Sequence, residues 1–315
     1  MNNMLKKILA DANQKSSPIA LDSMKNIYQN YDLFIFDLWG VVHNGVKAFD
    51  GAIHILQFLK DQEKPVYFLS NAPRRKDAAI AQLRDRGVPR DLYVDVVTSG
   101  DECYNCLKAK QEGTLEDTFP NAALFYKNLG STIYHLGPDK DKSLYEGLDG
   151  YEITKDLSTA DVILNTGTYT FEDTLEDHIP VLQQAIARKL PMICANPDLV
   201  VIYGQSSALC AGRIAKEYEK MGGNVYYHGK PSPDLYVAVM KRAHVKERSR
   251  VLMVGDSLRT DIKGANAAGI HSIFIKSGIH RLKDLGSTMD ATDDDLEKLY
   301  DVYAATATYV MMEVQ

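Results

Sequence analysis

The sequence predicts an α/β protein built on a doubly wound parallel sheet, with a second α/β domain inserted into it. Three observations carry this. Short apolar runs bounded by turn residues recur between amphipathic segments, the pattern of parallel strands joined by crossover helices. Several of those runs end in polar clusters, as strands do where a doubly wound sheet opens into a ligand crevice. One interval between two such clusters is far longer than a single crossover needs.

Taken in order, residues 1–30 read as an added N-terminal helix or two. The first clear strand is Leu33 to Phe36, ending in Asp37; the second is Val66 to Leu69, ending in Ser70 and Asn71; a third is Val94 to Val97. The segment DECYNCLKAK follows as a helix carrying Cys103 and Cys106 on one face. Strand-like runs at Thr132 to Leu136, Val162 to Leu164 and Met192 to Cys194 belong to the inserted domain, placed at 113–224. It starts at the polar EGTLEDTFP segment and ends at Gly222 and Gly223, a candidate hinge. Val251 to Val254, ending in Gly255 and Asp256, and Ser272 to Ile275 return the chain to the first domain, composed of 31–112 and 225–315.

Composition narrows the class. At 315 residues the chain suits two domains, and 45% hydrophobic with 25% charged residues is the composition of a folded protein. A net charge of −6 lacks the basic excess that gathers a polyanion, so nucleic acid is not expected as a partner. The N-terminus lacks a signal-peptide cleavage pattern and nothing approaches about 18 consecutive apolar residues, so a cytoplasmic protein without membrane spans is expected. Four cysteines are too few for a disulfide scaffold. Cys103 and Cys106 form a lone C-x-x-C; zinc would need a second ligand pair, and helical core packing explains the two thiols more simply.

The chemistry concentrates at strand ends. In GDSLRTDIKGANAAGI, directly after the apolar run VLMV, Asp256 and Asp261 stand five residues apart, at the end of a strand and the start of a helix. Such a pair suits one hard cation, Mg²⁺, and Asp37 at the matching end of another strand supplies a third carboxylate. Any one of these aspartates alone would read as a loop residue or helix cap. Their combination with Ser70, Asn71 and Lys230 is more specific.

In these segments the chain resembles the haloacid dehalogenase superfamily. Its four motifs stand in order as Asp37-Leu38-Trp39-Gly40-Val41, Ser70-Asn71, Lys230 in HGKPSPDLY, and Gly255-Asp256-Ser257 through Asp261. The insertion between the second and third motifs, with Asn196 to Asp198 as NPD, is similar to subfamily IIA, whose members include 4-nitrophenylphosphatase-like and sugar-phosphatase-like enzymes with a C2-type cap. The resemblance implies a phosphatase or phosphotransferase acting on a small phosphorylated metabolite through an aspartyl-phosphate at Asp37. It implies Mg²⁺ held by Asp37, Asp256, Asp261 and the backbone carbonyl of Trp39. Ser70 and the Asn71 N–H would contact phosphate oxygens, Lys230 would neutralise charge, and a homodimer would form through the cap.

One position departs from the pattern. The superfamily's phosphatases usually carry a second aspartate, the proton carrier, where this chain has Trp39. A backbone carbonyl survives that replacement; the acid–base group does not. His43 is a candidate substitute, although a lone histidine near a strand end is more often structural. Three chemistries stay open: hydrolysis or phosphoryl transfer, phosphometabolite binding without efficient catalysis, and other ester chemistry at Asp37. A receiver domain also combines an Asp, a hydroxyl residue and a Lys around Mg²⁺, but the inserted domain argues against it. Substrate choice is assigned to the cap, with Asn196 and the segments Thr166 to Thr170, including Tyr169, and Tyr203 to Ser207 as candidate contacts.

Overall fold

The computed structural model describes residues 17–203, 206–279 and 293–314. The strands run in chain order as β1 (Ile19–Ala20), β2 (Leu33–Phe36), β3 (Val66–Ser70) and β4 (Asp95–Thr98). Then come β5 (Thr132–Leu136), β6 (Glu152–Thr154), β7 (Val162–Asn165), β8 (Met192–Cys194), β9 (Val200–Tyr203), β10 (Ser206–Leu209) and β11 (Val225–Tyr227). The last are β12 (Val251–Gly255), β13 (His271–Ile275) and β14 (Tyr309–Met311). The helices are α1 (Asp50–Asp61), α2 (Lys76–Asp85), α3 (Ser99–Glu112), α4 (Leu115–Thr118), α5 (Pro120–Tyr126), α6 (Leu175–Ala187), α7 (Ala211–Lys220), α8 (Pro233–Arg242), α9 (Lys263–Ala268) and α10 (Asp293–Tyr303). Among the described residues no helix is long and apolar enough to cross a membrane.

A seven-stranded sheet has the order β1-β14-β13-β12-β2-β3-β4. Every residue of β2, β12 and β13 is buried, as expected of parallel strands covered on both faces. In β12 the register places Val251 opposite Leu33 and Val254 opposite Phe36, so the chain leaves both strands at the same end of the sheet. The expected strands appear in place, each within a residue at either end. Residues 1–16 of the expected N-terminal extension lie outside the described residues; from 17 to 30 the chain forms β1 and two one-turn 3₁₀ helices in place of a longer helix.

The chain divides into two compact units, residues 1–68, 86–95 and 231–315, and residues 69–85 and 96–230. The second unit holds a five-stranded parallel sheet of order β11-β8-β7-β5-β6 and the hairpin β9-β10. Strand periodicity sorts its core: Val162 and Leu164 pack into one cluster with α3 and α5, and Ile163 packs into the other with α6 and α7. Cys103 and Cys106 lie in the first of these clusters, fully buried free thiols. Burial pushes the Cys103 thiol up to about 12, so it is an inert core residue. Helix α3 therefore shares its core with β5 and β7, which makes the second unit wider than 113–224. Thr98 caps this helix by accepting from the Asp101 N–H, and Gly113, at φ 72°, ends it.

Candidate active site

In the first unit Asp37, Asp256 and Asp261 converge. Each offers a carboxylate oxygen within 4.8 Å of the others, and all three side chains are buried. β2 delivers Asp37 and β12 delivers Asp256, paired neighbours that end together. Asp261 follows in a π-helical turn, Leu258–Ile262, that runs into α9. The wide turn lets its Oδ2 accept from the N–H groups of Asp256, at 3.2 Å, and Ser257, at 3.1 Å. The Tyr236 hydroxyl donates to the Asp261 carbonyl, at 3.1 Å, satisfying a backbone group within that turn.

Backbone crowds this cluster where side chains cannot. A Cβ on Gly40 would lie 2.0 Å from Asp256 Oδ2, and one on Gly278 would lie 2.1 Å from the Asp256 Cβ. Gly40 also has φ +77°, so two demands coincide there. The Ile279 N–H donates to Asp256 Oδ2 at 2.7 Å. Three carboxylates this close repel one another, and a small hard cation with oxygen preference answers that repulsion. The donor set therefore fits Mg²⁺.

Trp39 follows Asp37 in a closed loop. The N–H groups of Val42 and His43 donate to the Leu38 carbonyl, at 2.9 and 3.0 Å, and Gly40 N–H donates to the His43 carbonyl at 2.9 Å. The partly buried indole meets the His43 ring edge-on at 5.0 Å between centroids, and the Arg86 guanidinium lies 5.8 Å from the indole. His43 accepts from the Gly45 N–H through Nδ1, at 3.1 Å, which leaves the proton on Nε2 of the neutral ring. Burial and then Arg86 push its pKa down to about 3. A histidine held neutral this firmly is a poor proton acceptor.

That burial sets a pH dependence. The unfolded chain takes up a proton at His43 near the ordinary value of 6.5, and the folded chain resists until about 3. Stability from this group is complete above pH 6.5 and is lost progressively as pH falls toward 3. At pH 5 the loss is on the order of 2 kcal/mol. Melting temperature measured from pH 7.5 to 5 is expected to fall, and His43→Gln to flatten the fall; equal slopes in both proteins would contradict it.

The second unit brings together another set. Ser70, the last residue of β3, accepts from the Ala72 N–H at 3.2 Å. Asn71 is clasped: its Oδ1 accepts from the Lys230 N–H at 2.8 Å, and its Nδ2 donates to Asp198 Oδ1 at 2.9 Å. Asn196 Oδ1 accepts from the Asp198 N–H at 3.0 Å, so the side chains of NPD organise their own turn. Lys230 is only 2% exposed and donates from Nζ to the Leu69 carbonyl at 3.0 Å. A buried ammonium is costly unless anionic or polar groups compensate it, so Lys230 is no solvated surface lysine.

Tyr169 is 46% exposed, with its ring stacked on His178 and its hydroxyl 3.2 Å from that of Tyr134. Within Tyr203 to Ser207, Gly204 and Gln205 lie outside the described residues. Sequence reasoning passed over Ser99, Glu102, Arg74, Asp141 and His228. Arg74 Nε donates to the buried Asp141 at 2.7 Å, and Ser99 Oγ donates to the Ala195 carbonyl at 2.7 Å. Only His228, directly before the Gly229-Lys230 pair, had a local signal.

Comparison with known proteins agrees with this geometry. Residues 34–150 match the family described as haloacid dehalogenase-like hydrolase, and residues 227–302 match one described as HAD-hydrolase-like. A haloacid dehalogenase-like hydrolase from Brucella suis is 30% identical, with 94% of this chain and all of that one covered at a TM-score of 0.77. The ribonucleotide monophosphatase NagD of Escherichia coli is 27% identical over 262 residues, 80% of this chain and 90% of its own length. A glycerol phosphate phosphatase from Mycobacterium tuberculosis, solved with magnesium, shares the fold at a TM-score of 0.63, with 21% identity and coverage of 91% and 76% of the two chains. The chain thus belongs to the haloacid dehalogenase-like hydrolases, within subfamily IIA.

Proposed function

We propose that this protein is a Mg²⁺-dependent phosphatase or phosphotransferase acting on a small phosphorylated metabolite, with Asp37 as nucleophile. The observation that carries the reading is the buried cluster of Asp37, Asp256 and Asp261. Its membership of a hydrolase family whose relatives include named phosphatases supports it. Asp37, Asp256 and Asp261 would hold the cation, with the Trp39 carbonyl as a further oxygen. Bound there, Mg²⁺ supplies charge compensation for the phosphoryl oxygens.

A carboxylate oxygen of Asp37 attacks phosphorus as the bond to the leaving oxygen breaks, forming an aspartyl-phosphate. Water then attacks that phosphorus, releasing phosphate and regenerating Asp37; an acceptor hydroxyl in its place makes the reaction a transfer. Ser70 Oγ and the Asn71 backbone N–H donate to phosphoryl oxygens, and Lys230 balances their charge. The departing oxygen needs a proton, and Trp39 cannot give one. The favoured substrates are therefore those whose leaving group tolerates negative charge. Trp39 also favours a second reading, in which the protein binds a phosphorylated metabolite with little turnover.

Phosphate release from a panel of phosphomonoesters, with and without Mg²⁺, tests the proposal; no release from any member would favour the binding reading. Mg²⁺ alone is expected to raise the melting temperature by mass action, by about 2.7 kcal/mol of stability at 100 times its Kd. Asp256→Ala should remove most of that rise. An undiminished rise in this variant would put the cation elsewhere.

A further inference from the structure

We infer that Glu102, in the first turn of α3, is a positioning residue for Lys230, acting through the backbone of Gly229. The inference rests on the reading of Lys230 as the cation of a phosphoryl site. Gly229 has φ +101°, and a Cβ there would lie 2.5 Å from Asn71 Oδ1 and 2.9 Å from Ser99 Cβ. The turn before Lys230 is therefore both left-handed and sterically closed. Its N–H donates to Glu102 Oε2 at 2.9 Å. The same carboxylate oxygen lies 3.1 Å from His228 Nδ1, and His228 Nε2 is hydrogen-bonded to the Tyr126 hydroxyl.

The rest of that helical turn grips the neighbouring segments. The single Ser99 hydroxyl proton has the Ala195 carbonyl at 2.7 Å and the Ala72 carbonyl at 3.1 Å within reach, and the Gly100 N–H donates to Ala72 at 3.2 Å. Gly100 is required, since a Cβ would meet Arg74 backbone at 2.4 Å. One helical turn thus ties down the segments that carry Asn71, Asn196 and Lys230. An acidic residue in a first helical turn ordinarily serves the helix dipole alone. Glu102 does more: it accepts from the N–H of the residue directly before Lys230, is 12% exposed, and has the ring of a fully enclosed histidine 3.1 Å from the same oxygen. Losing that acceptor frees the Gly229 peptide, and a displacement near 1 Å of a reacting group can cost on the order of 10²-fold in rate.

The test is kcat/KM for 4-nitrophenyl phosphate at saturating Mg²⁺ in the wild type, Glu102→Ala, Lys230→Ala and the double variant. Glu102→Ala is expected to lose about tenfold or more, with the Mg²⁺-induced rise in melting temperature unchanged. Glu102→Gln, which keeps an acceptor oxygen, should recover most of the loss. In the Lys230→Ala background Glu102→Ala should change the rate by less than about twofold, the signature of action through Lys230. If Glu102→Ala does not fold, Glu102→Asp, which withdraws the carboxylate by one methylene, replaces it under the same criteria. The inference is overturned if the folded variant stays within about twofold of wild type, or adds its full loss to that of Lys230→Ala. A wild type without Mg²⁺-dependent release, or a Lys230→Ala variant as fast as wild type, instead overturns the phosphoryl-site reading on which it rests.

Discussion

Asp37→Asn is expected to lower phosphate release by roughly 10³-fold or more, because the amide keeps the shape of the carboxylate and loses the nucleophile. Its effect on stability should run the other way. Asp37, Asp256 and Asp261 are packed within 4.8 Å of one another, so without Mg²⁺ the folded state carries their mutual repulsion. Removing one charge should leave the melting temperature unchanged or raised in the absence of metal, and shrink the rise that Mg²⁺ produces. Activity and melting curves with and without Mg²⁺ measure both. A variant that keeps most of its activity would move the nucleophile elsewhere, and a large loss of stability would leave the rate uninterpretable.

Trp39→Asp should act on substrates according to their leaving groups. A positioned general acid is typically worth about 10²–10⁴ in rate, so an alkyl phosphate, whose oxygen needs a proton, is expected to gain at least about 10²-fold. An aryl phosphate should gain less in the transfer to Asp37, since phenolate departs without one. His43 does not fill the gap: its Nδ1 is committed to Gly45, and burial holds the ring neutral. Losing the indole opens space beside His43, which costs stability. Arg86, near the indole in the wild type, offers a new carboxylate a charge partner. That partnership would also lower the pKa of the new acid and restrain the gain. Rates on one alkyl and one aryl phosphate, beside a melting curve, decide the matter; a folded variant faster on neither would show that Trp39 serves a different proton carrier or a non-hydrolytic role.

What was legible in the sequence was whatever a strand announces by itself. Leu33 to Phe36 and Val251 to Val254 are continuous apolar runs, and each is followed closely by an aspartate; pairing these runs brings Asp37 and Asp256 together. β1, at two residues, and β6, with an exposed or part-exposed sequence EIT, are too short or too polar to show that pattern. The π turn at Leu258–Ile262 left no mark either, because its residues suit an α-helix equally well. Glu102 was invisible for a different reason. A glutamate near a helix start is ordinary, and its distinction lies in a hydrogen bond to Gly229, 127 positions away.

The placing of β12 has a consequence for how the chain is made. It lies between β2 and β13 in the seven-stranded sheet, yet pairs with a strand synthesised roughly two hundred residues earlier. The five-stranded sheet, from β5 to β11, is translated in full before β12. Its strands can pair vectorially, while β2, with the bare sequence LFIF, waits with one edge open. An unpaired apolar edge of that kind recruits other chains. For this protein, then, the nascent chain is expected to be most exposed to aggregation once its inserted unit has been made and β12 has not, and the strand that closes the edge of β2 is the one that delivers Asp256.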